Sequence, residues 1–349
     1  MKKISNIKHL NYVEKLERQI LLNLPLNRLP LKRHNELVSQ AIAQLLRELK
    51  TKKIPFSPAI WVSTEWFCPD NVCGIAIPFY LFHPTLLKME KEKIGFVEGE
   101  TYPQLLKLLR HETGHAFENY YGTRSHPLRQ KVFGKSNKKP YPSSYKPQLY
   151  STNYIHHLGD GYAQSHPDED FAETFATWLA FPKKNWQEKY KYKSKILTKL
   201  LAIENLVKEH KDMTPLKKCS FKPYEPIEKD KRFLKEYFLQ KSRKYKFSVS
   251  NESKKMLLST TPVSEKKRKN KLLDLYIKKH RPIILQKLAQ TIGIHKYQIS
   301  KIIKPLENEL AKVADANLNS ENEIVNYLLD LTTVEILEGL HKKRDRIYL

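Results

Sequence analysis

His111-Glu112-Thr113-Gly114-His115 is the part of this 349-residue chain whose residue types and spacing most clearly promise chemistry. Residues four apart on a helix share a face, so both imidazoles can reach one ion. Glu112 stands beside them and can take a proton from a water that the ion activates. Gly114 lets another backbone pack close to such a helix. A hydrolytic zinc needs a third protein ligand and an open position. The segment SHPDEDFAETFATWL, residues 165–179, offers one. Glu169 and Glu173 are one helical turn apart there, among Phe171, Ala172, Phe175 and Trp178, and carboxylates set among core residues need partners. Glu169 is the expected zinc ligand, with Asp160 as an alternative. Glu173 is expected behind it, hydrogen-bonded to an imidazole and fixing its tautomer. An oxyanion also needs a donor. Tyr162, seven residues before Glu169, is the first choice, with Tyr154, His157 and His166 as alternatives.

These residues need elements to hold them. The periodicity predicts a helix over 101–120, capped by Thr101, with Pro103 in its first turn and Leu105, Leu108, Leu109, Ala116 and Phe117 along one stripe. A second helix is expected over 168–181, stopped by Pro182, and helical structure continues over 186–210. Two more helices are read within residues 1–50, separated by Pro25 and Pro30. AIWVSTEWF and GIAIPFYLF, within residues 59–83, read as two strands joined by a turn, with Pro78 marking an edge strand. That edge, near residues 75–82, would pair with an extended substrate. Residues 122–165, rich in Gly, Pro, Ser and Tyr, read as a long loop that helps to wall the substrate site.

The paired segments LLRHETGHAFENYYG and YAQSHPDEDFAETFATWL resemble the zinc-binding metallopeptidases of bacteria that carry an RHExGH segment and a later SHPxEDxAETxAxxL segment. IAIPFYLFHPTLLKME is similar to the stretch that precedes the zinc helix in such proteins, and the resemblance covers roughly residues 55–210. The second segment is also similar to the EFFAEAF-type helix of the anthrax lethal factor protease domain. The resemblance implies Glu169 as metal ligand, Glu173 as the support of a histidine and Tyr162 as the assisting group. Relatives often carry an N-terminal cysteine-rich zinc ribbon, which this sequence does not show.

Composition bounds the remaining classes. Cys68, Cys73 and Cys219 are too few, and odd in number, for a disulfide framework, and no second pair completes a four-thiolate zinc site. No run of about 18 apolar residues occurs, and the charged N-terminal MKKISNIKHLNYVEK lacks an apolar signal core. The expectation is a cytoplasmic protein, or one exported without a classical signal peptide, and no membrane partner. The formal net charge of +26 raises the question of an anionic partner. Lysine is nevertheless spread along most of the chain, and Lys266–Lys271 is the one dense run.

The expected fold is α+β. It has a zincin-like metallopeptidase core, predominantly helical with a small sheet, over residues 51–240, and N-terminal helices, residues 1–50, packed on it. A basic linker, residues 241–271, and a helical C-terminal subdomain, residues 272–349, follow. The expected activity is zinc-dependent hydrolysis of a peptide or protein substrate with Glu112 as general base. A zinc hydrolase for non-peptide amides is a rival. A second rival is a nucleic-acid-binding protein with a structural or vestigial zinc site. It would use LQKLAQTIGIHKYQISKII, residues 285–303, where Ala289, Gly293 and Ile299 have helix-turn-helix spacing.

Overall fold

The computed structural model describes residues 2–244, apart from residues 33, 137–140, 143, 146–147, 149–150, 160, 215 and 217–219. Beyond residue 244 it describes only residues 281, 285, 326, 330, 347 and 348. The expected linker is thus described only over 241–244, which are helical. The rest of it, with the C-terminal segment 272–349 (the stretch 285–303 included) apart from those six residues, lies outside the described residues. The chain divides into two units, of which residues 1–93 and 97–240 make up nearly all of the first. The site described below lies in that unit.

Nine α-helices occur among the described residues. In chain order they are α1 (Lys2–Leu22), α2 (Glu36–Thr51), α3 (Pro84–Ile94), α4 (Tyr102–Tyr121), α5 (Pro127–Phe133), α6 (Pro167–Ala180), α7 (Lys183–Lys189), α8 (Ser194–His210) and α9 (Leu234–Lys244). Two strands, β1 (Ala59–Ser63) and β2 (Gly74–Pro78), form a parallel pair with Ala59 opposite Gly74 and Ser63 opposite Pro78. The fold is therefore mostly helical with a small sheet. No helix among the described residues is long and apolar enough to cross a membrane.

The helices begin and end where their sequences dictate. Asn35 caps α2 by accepting the Val38 amide at 3.2 Å, and Val38, Ala41, Leu45 and Leu49 are its buried stripe. At the start of α4 the Gln104 side chain accepts the Thr101 amide at 3.3 Å. The helix stops at Gly122, whose left-handed φ of 70° suits a residue without Cβ and whose amide reaches the Glu118 carbonyl. His166 caps α6 by accepting the Asp168 amide at 3.3 Å. Asp168, Glu169 and Asp170 lie in that first turn, where the helix dipole favours negative charge.

α4 and α6 make the principal helix pair, with α2 packed on both and α8 covering α6. Phe117 of α4 meets Phe171 and Phe175 of α6 at ring separations of 6.3 and 5.2 Å. All three rings are fully buried, and each contributes about 1.5–3 kcal/mol by leaving water.

Two expectations fail here. β1 and β2 are parallel and not a hairpin, because residues 64–73 do not turn back on the spot but return beside β2. There the Ala76 amide donates to the Phe67 carbonyl at 2.9 Å. β2 is thus flanked by β1 and by Phe67, and all five of its residues are buried. Pro78 ends the strand and marks no open edge, and Phe79–Phe82 form a 3-10 turn. Residues 75–82 therefore offer no free edge to an extended substrate. The span 122–165, expected as a long loop with a little local structure, holds α5 and 3-10 turns at Thr123–Ser125 and Tyr162–Gln164.

Candidate metal centre

α4 presents His111, Glu112 and His115, and α6 presents Glu169 and Glu173, all of them buried. Gly114 makes this possible: a Cβ there would lie 2.8 Å from the Ala172 Cα, so only glycine allows the two backbones to approach so closely. His111 Nε2 lies 3.0 Å from Glu169 Oε2, His115 Nε2 lies 3.3 Å from the same oxygen, and the two nitrogens are 3.3 Å apart. Zinc bonds of about 2.0–2.1 Å in a tetrahedron set ligand atoms about 3.3 Å apart. The triangle of donor atoms therefore has the size of one face of a zinc tetrahedron. Among the described residues it is the one cluster of three such groups.

The Glu173 carboxylate fixes the protonation pattern. Its Oε1 accepts the His111 Nδ1–H at 3.0 Å. It also accepts the backbone amides of His157, at 2.7 Å, and Leu158, at 3.0 Å. With Nδ1 carrying its proton toward Glu173, Nε2 of His111 turns a lone pair toward Glu169 Oε2. Two acceptors at this distance need a positive charge between them, either a second proton or a metal ion. Without a metal, burial works against charge on His111, but its hydrogen bonds to the Glu169 and Glu173 carboxylates outweigh it and raise its pKa to about 10. Burial works against ionising Glu169 as well, yet His115 and His111 hold it well below the usual carboxylate range. A neutral-imidazole, ionised-carboxylate donor set is what zinc takes, so the residues present fit the ion.

Glu112 is displaced the other way. Burial raises its carboxyl pKa, and His111 and His115 only partly offset this. The Tyr162 ring lies 5.5 Å from that of His111. Burial, then the charges of Glu169 and Glu112, push its phenol well above the ordinary tyrosine value.

The alternative candidates lie elsewhere. Tyr154 lies under the Lys199 ammonium, 4.0 Å from its ring centre. The His157 ring donates Nε2–H to the Lys107 carbonyl at 3.0 Å, so only its backbone amide serves the site. His166 is spent on capping α6, and Asp160 lies outside the described residues. Cys68 is half-buried and Cys73 buried, while Cys219 is outside the described residues.

Several partners carried no recognisable sequence signal. Tyr141 donates its hydroxyl to Glu169 Oε1 at 3.0 Å. It sits in a tyrosine-rich stretch where nothing in the pattern separates it from Tyr145 or Tyr150. Arg129 is fully buried, donates to Glu118 Oε1 at 2.7 Å and also pairs with Asp168. It ties the end of α4 to the start of α6. Lys199 of α8 holds Asp170 Oδ2 at 2.7 Å and the Asn153 carbonyl at 2.8 Å. That contact anchors the segment leading to the two amides on Glu173.

Residues 88–192 match the family model described as "Putative zinc-binding metallo-peptidase". The match takes in α4, α6 and the whole segment between them, and hence every residue of the donor triangle. Searches of curated proteins and of solved structures gave no match. The family is zinc-binding, and the buried His111, His115 and Glu169 form a site that can hold such an ion.

Proposed function

We propose that this chain is a zinc-dependent metallopeptidase with a zincin-like core over residues 51–240, acting on a peptide or protein substrate. The observation that carries the reading is the buried donor triangle of His111, His115 and Glu169, sized for zinc, with Glu112 buried on the helix that presents both histidines. The match of residues 88–192 to a zinc-binding metallopeptidase family supports it.

A zinc ion held by these three residues would supply Lewis acidity toward the scissile carbonyl and the attacking water. Glu112 accepts the water's proton as its oxygen bonds to the carbonyl carbon, then delivers that proton to the departing amine as the C–N bond breaks. Its burial-raised pKa suits both halves of this exchange. Tyr162 donates its hydroxyl to the developing oxyanion, and the elevated phenol pKa keeps it protonated for that task. Glu173 holds the His111 ring so that Nε2 keeps its lone pair toward the ion.

The test pairs the zinc-loaded protein with its Glu112→Gln variant on an unfolded protein substrate, with new chain termini mapped by mass spectrometry. Cleavage that needs zinc, and that falls by about 10²–10⁴-fold in the variant while zinc content is unchanged, is expected. Equal cleavage by the variant would refute the role of Glu112. Turnover of small amides without peptide cleavage would favour a non-peptide substrate.

A further inference from the structure

We infer that Tyr141 is a positioning residue for the metal, holding Glu169 as a one-oxygen ligand and so keeping the fourth coordination position open; the inference rests on the metallopeptidase reading above. The two oxygens of Glu169 are divided between different partners. Oε2 faces His111 Nε2 at 3.0 Å and His115 Nε2 at 3.3 Å, while Oε1 accepts the Tyr141 hydroxyl at 3.0 Å. A carboxylate can bind a metal through one oxygen or two. The second mode needs a lone pair of each oxygen turned toward the ion, and the phenol engages one of the two on Oε1 and draws that oxygen toward Tyr141. Because zinc is content with four ligands, a bidentate glutamate would compete with water or substrate for the open place.

The tyrosine is itself held. Its ring stacks on the His166 imidazole at 4.0 Å with 22° between planes, and His166 is fixed in turn by accepting the Asp168 amide. The ring is 51% exposed, so core packing is not its main task. An exposed tyrosine whose hydroxyl reaches the outer oxygen of a buried ligand is placed for tuning that ligand. Tyr162 has no such contact with Glu169 among the hydrogen bonds of the described residues, so the two tyrosines divide the work: Tyr141 on the ligand, Tyr162 on the substrate side.

The test uses the full chain and two variants, Tyr141→Phe and His166→Ala. Zinc affinity is read by competition with a chromophoric chelator, and the coordination by the visible spectrum of the Co²⁺-substituted protein. Tyr141→Phe is expected to weaken zinc about 10–100-fold, as loss of a hydrogen bond to a metal ligand does, and to alter the Co²⁺ spectrum. His166→Ala should shift both in the same direction by less. A Tyr141→Phe protein with the parent's zinc affinity and Co²⁺ spectrum overturns the assignment while leaving the metallopeptidase reading standing. A parent that binds neither Zn²⁺ nor Co²⁺ overturns both.

Discussion

Glu173 makes its influence felt at one atom, His111 Nδ1, through Oε1, which also accepts the Leu158 amide at 3.2 Å, while its Oε2 accepts the His157 amide at 2.7 Å. Replacing it by Gln keeps the size but puts an amide where three donors converge. We expect Glu173→Gln to weaken zinc binding about 10–100-fold, measured by chelator competition; unaltered affinity would mean that the His111 tautomer is set by something else. His157, on the far side of Glu173, gives a pH signature. Burial, only partly countered by Glu173 and by the hydrogen bond to Lys107, lowers its pKa from 6.5 to about 4, with Lys107 and His111 adding repulsion. Between those values the unfolded chain binds a proton that the folded chain refuses, so folding is favoured as pH rises. Stability is complete above about pH 6.5 and declines as pH falls toward 4, by up to about 3 kcal/mol. His157→Gln can still donate to the Lys107 carbonyl but does not titrate. Urea unfolding of the metal-free proteins should show a flatter acid limb in the variant, and parallel limbs would contradict the assignment.

Among the elements, α4 and α6 were legible because each carries both its chemistry and its apolar stripe in one continuous segment, and each has a recognisable start. The Glu169–Glu173 spacing foretold two carboxylates one turn apart, and both meet His111. The strands were legible as strands but not in their pairing. Residues 64–73 contain the turn-forming Pro69, Asp70 and Asn71, yet the direction of β2 is decided by where Phe67 and Cys73 find partners, on Ala76 and on Ser220. Those are long-range contacts that no local pattern encodes. Tyr141 was hidden for a similar reason: its partner Glu169 is 28 residues away in the chain. Gly114 on Ala172 is the close joint between the two helices. Gly114→Ala would place a Cβ 2.8 Å from backbone and force α4 and α6 apart. A loss of about 1–3 kcal/mol in chemical denaturation is expected, together with weaker zinc binding, because the ligands sit on both helices. If stability fell but zinc affinity did not, the donor triangle would be less dependent on the helix pair than its geometry implies.

On the scale of the whole molecule, ion pairs gather around the donor triangle. Arg129 ties α5 to both metal-binding helices through Glu118 and Asp168. Lys199 joins α8 to α6, and Arg110 pairs with Glu48 to join α4 to α2 at 2.6 Å. The site is thus braced by several elements of one unit, and a metal bridging α4 and α6 would add its binding free energy to folding. Zinc content of the purified chain, measured beside His111→Ala and Glu169→Ala, tests this account most directly. One zinc per chain in the parent and none in either variant is the expected result. Zinc retained in Glu169→Ala, or a parent that takes up none on reconstitution, would contradict it.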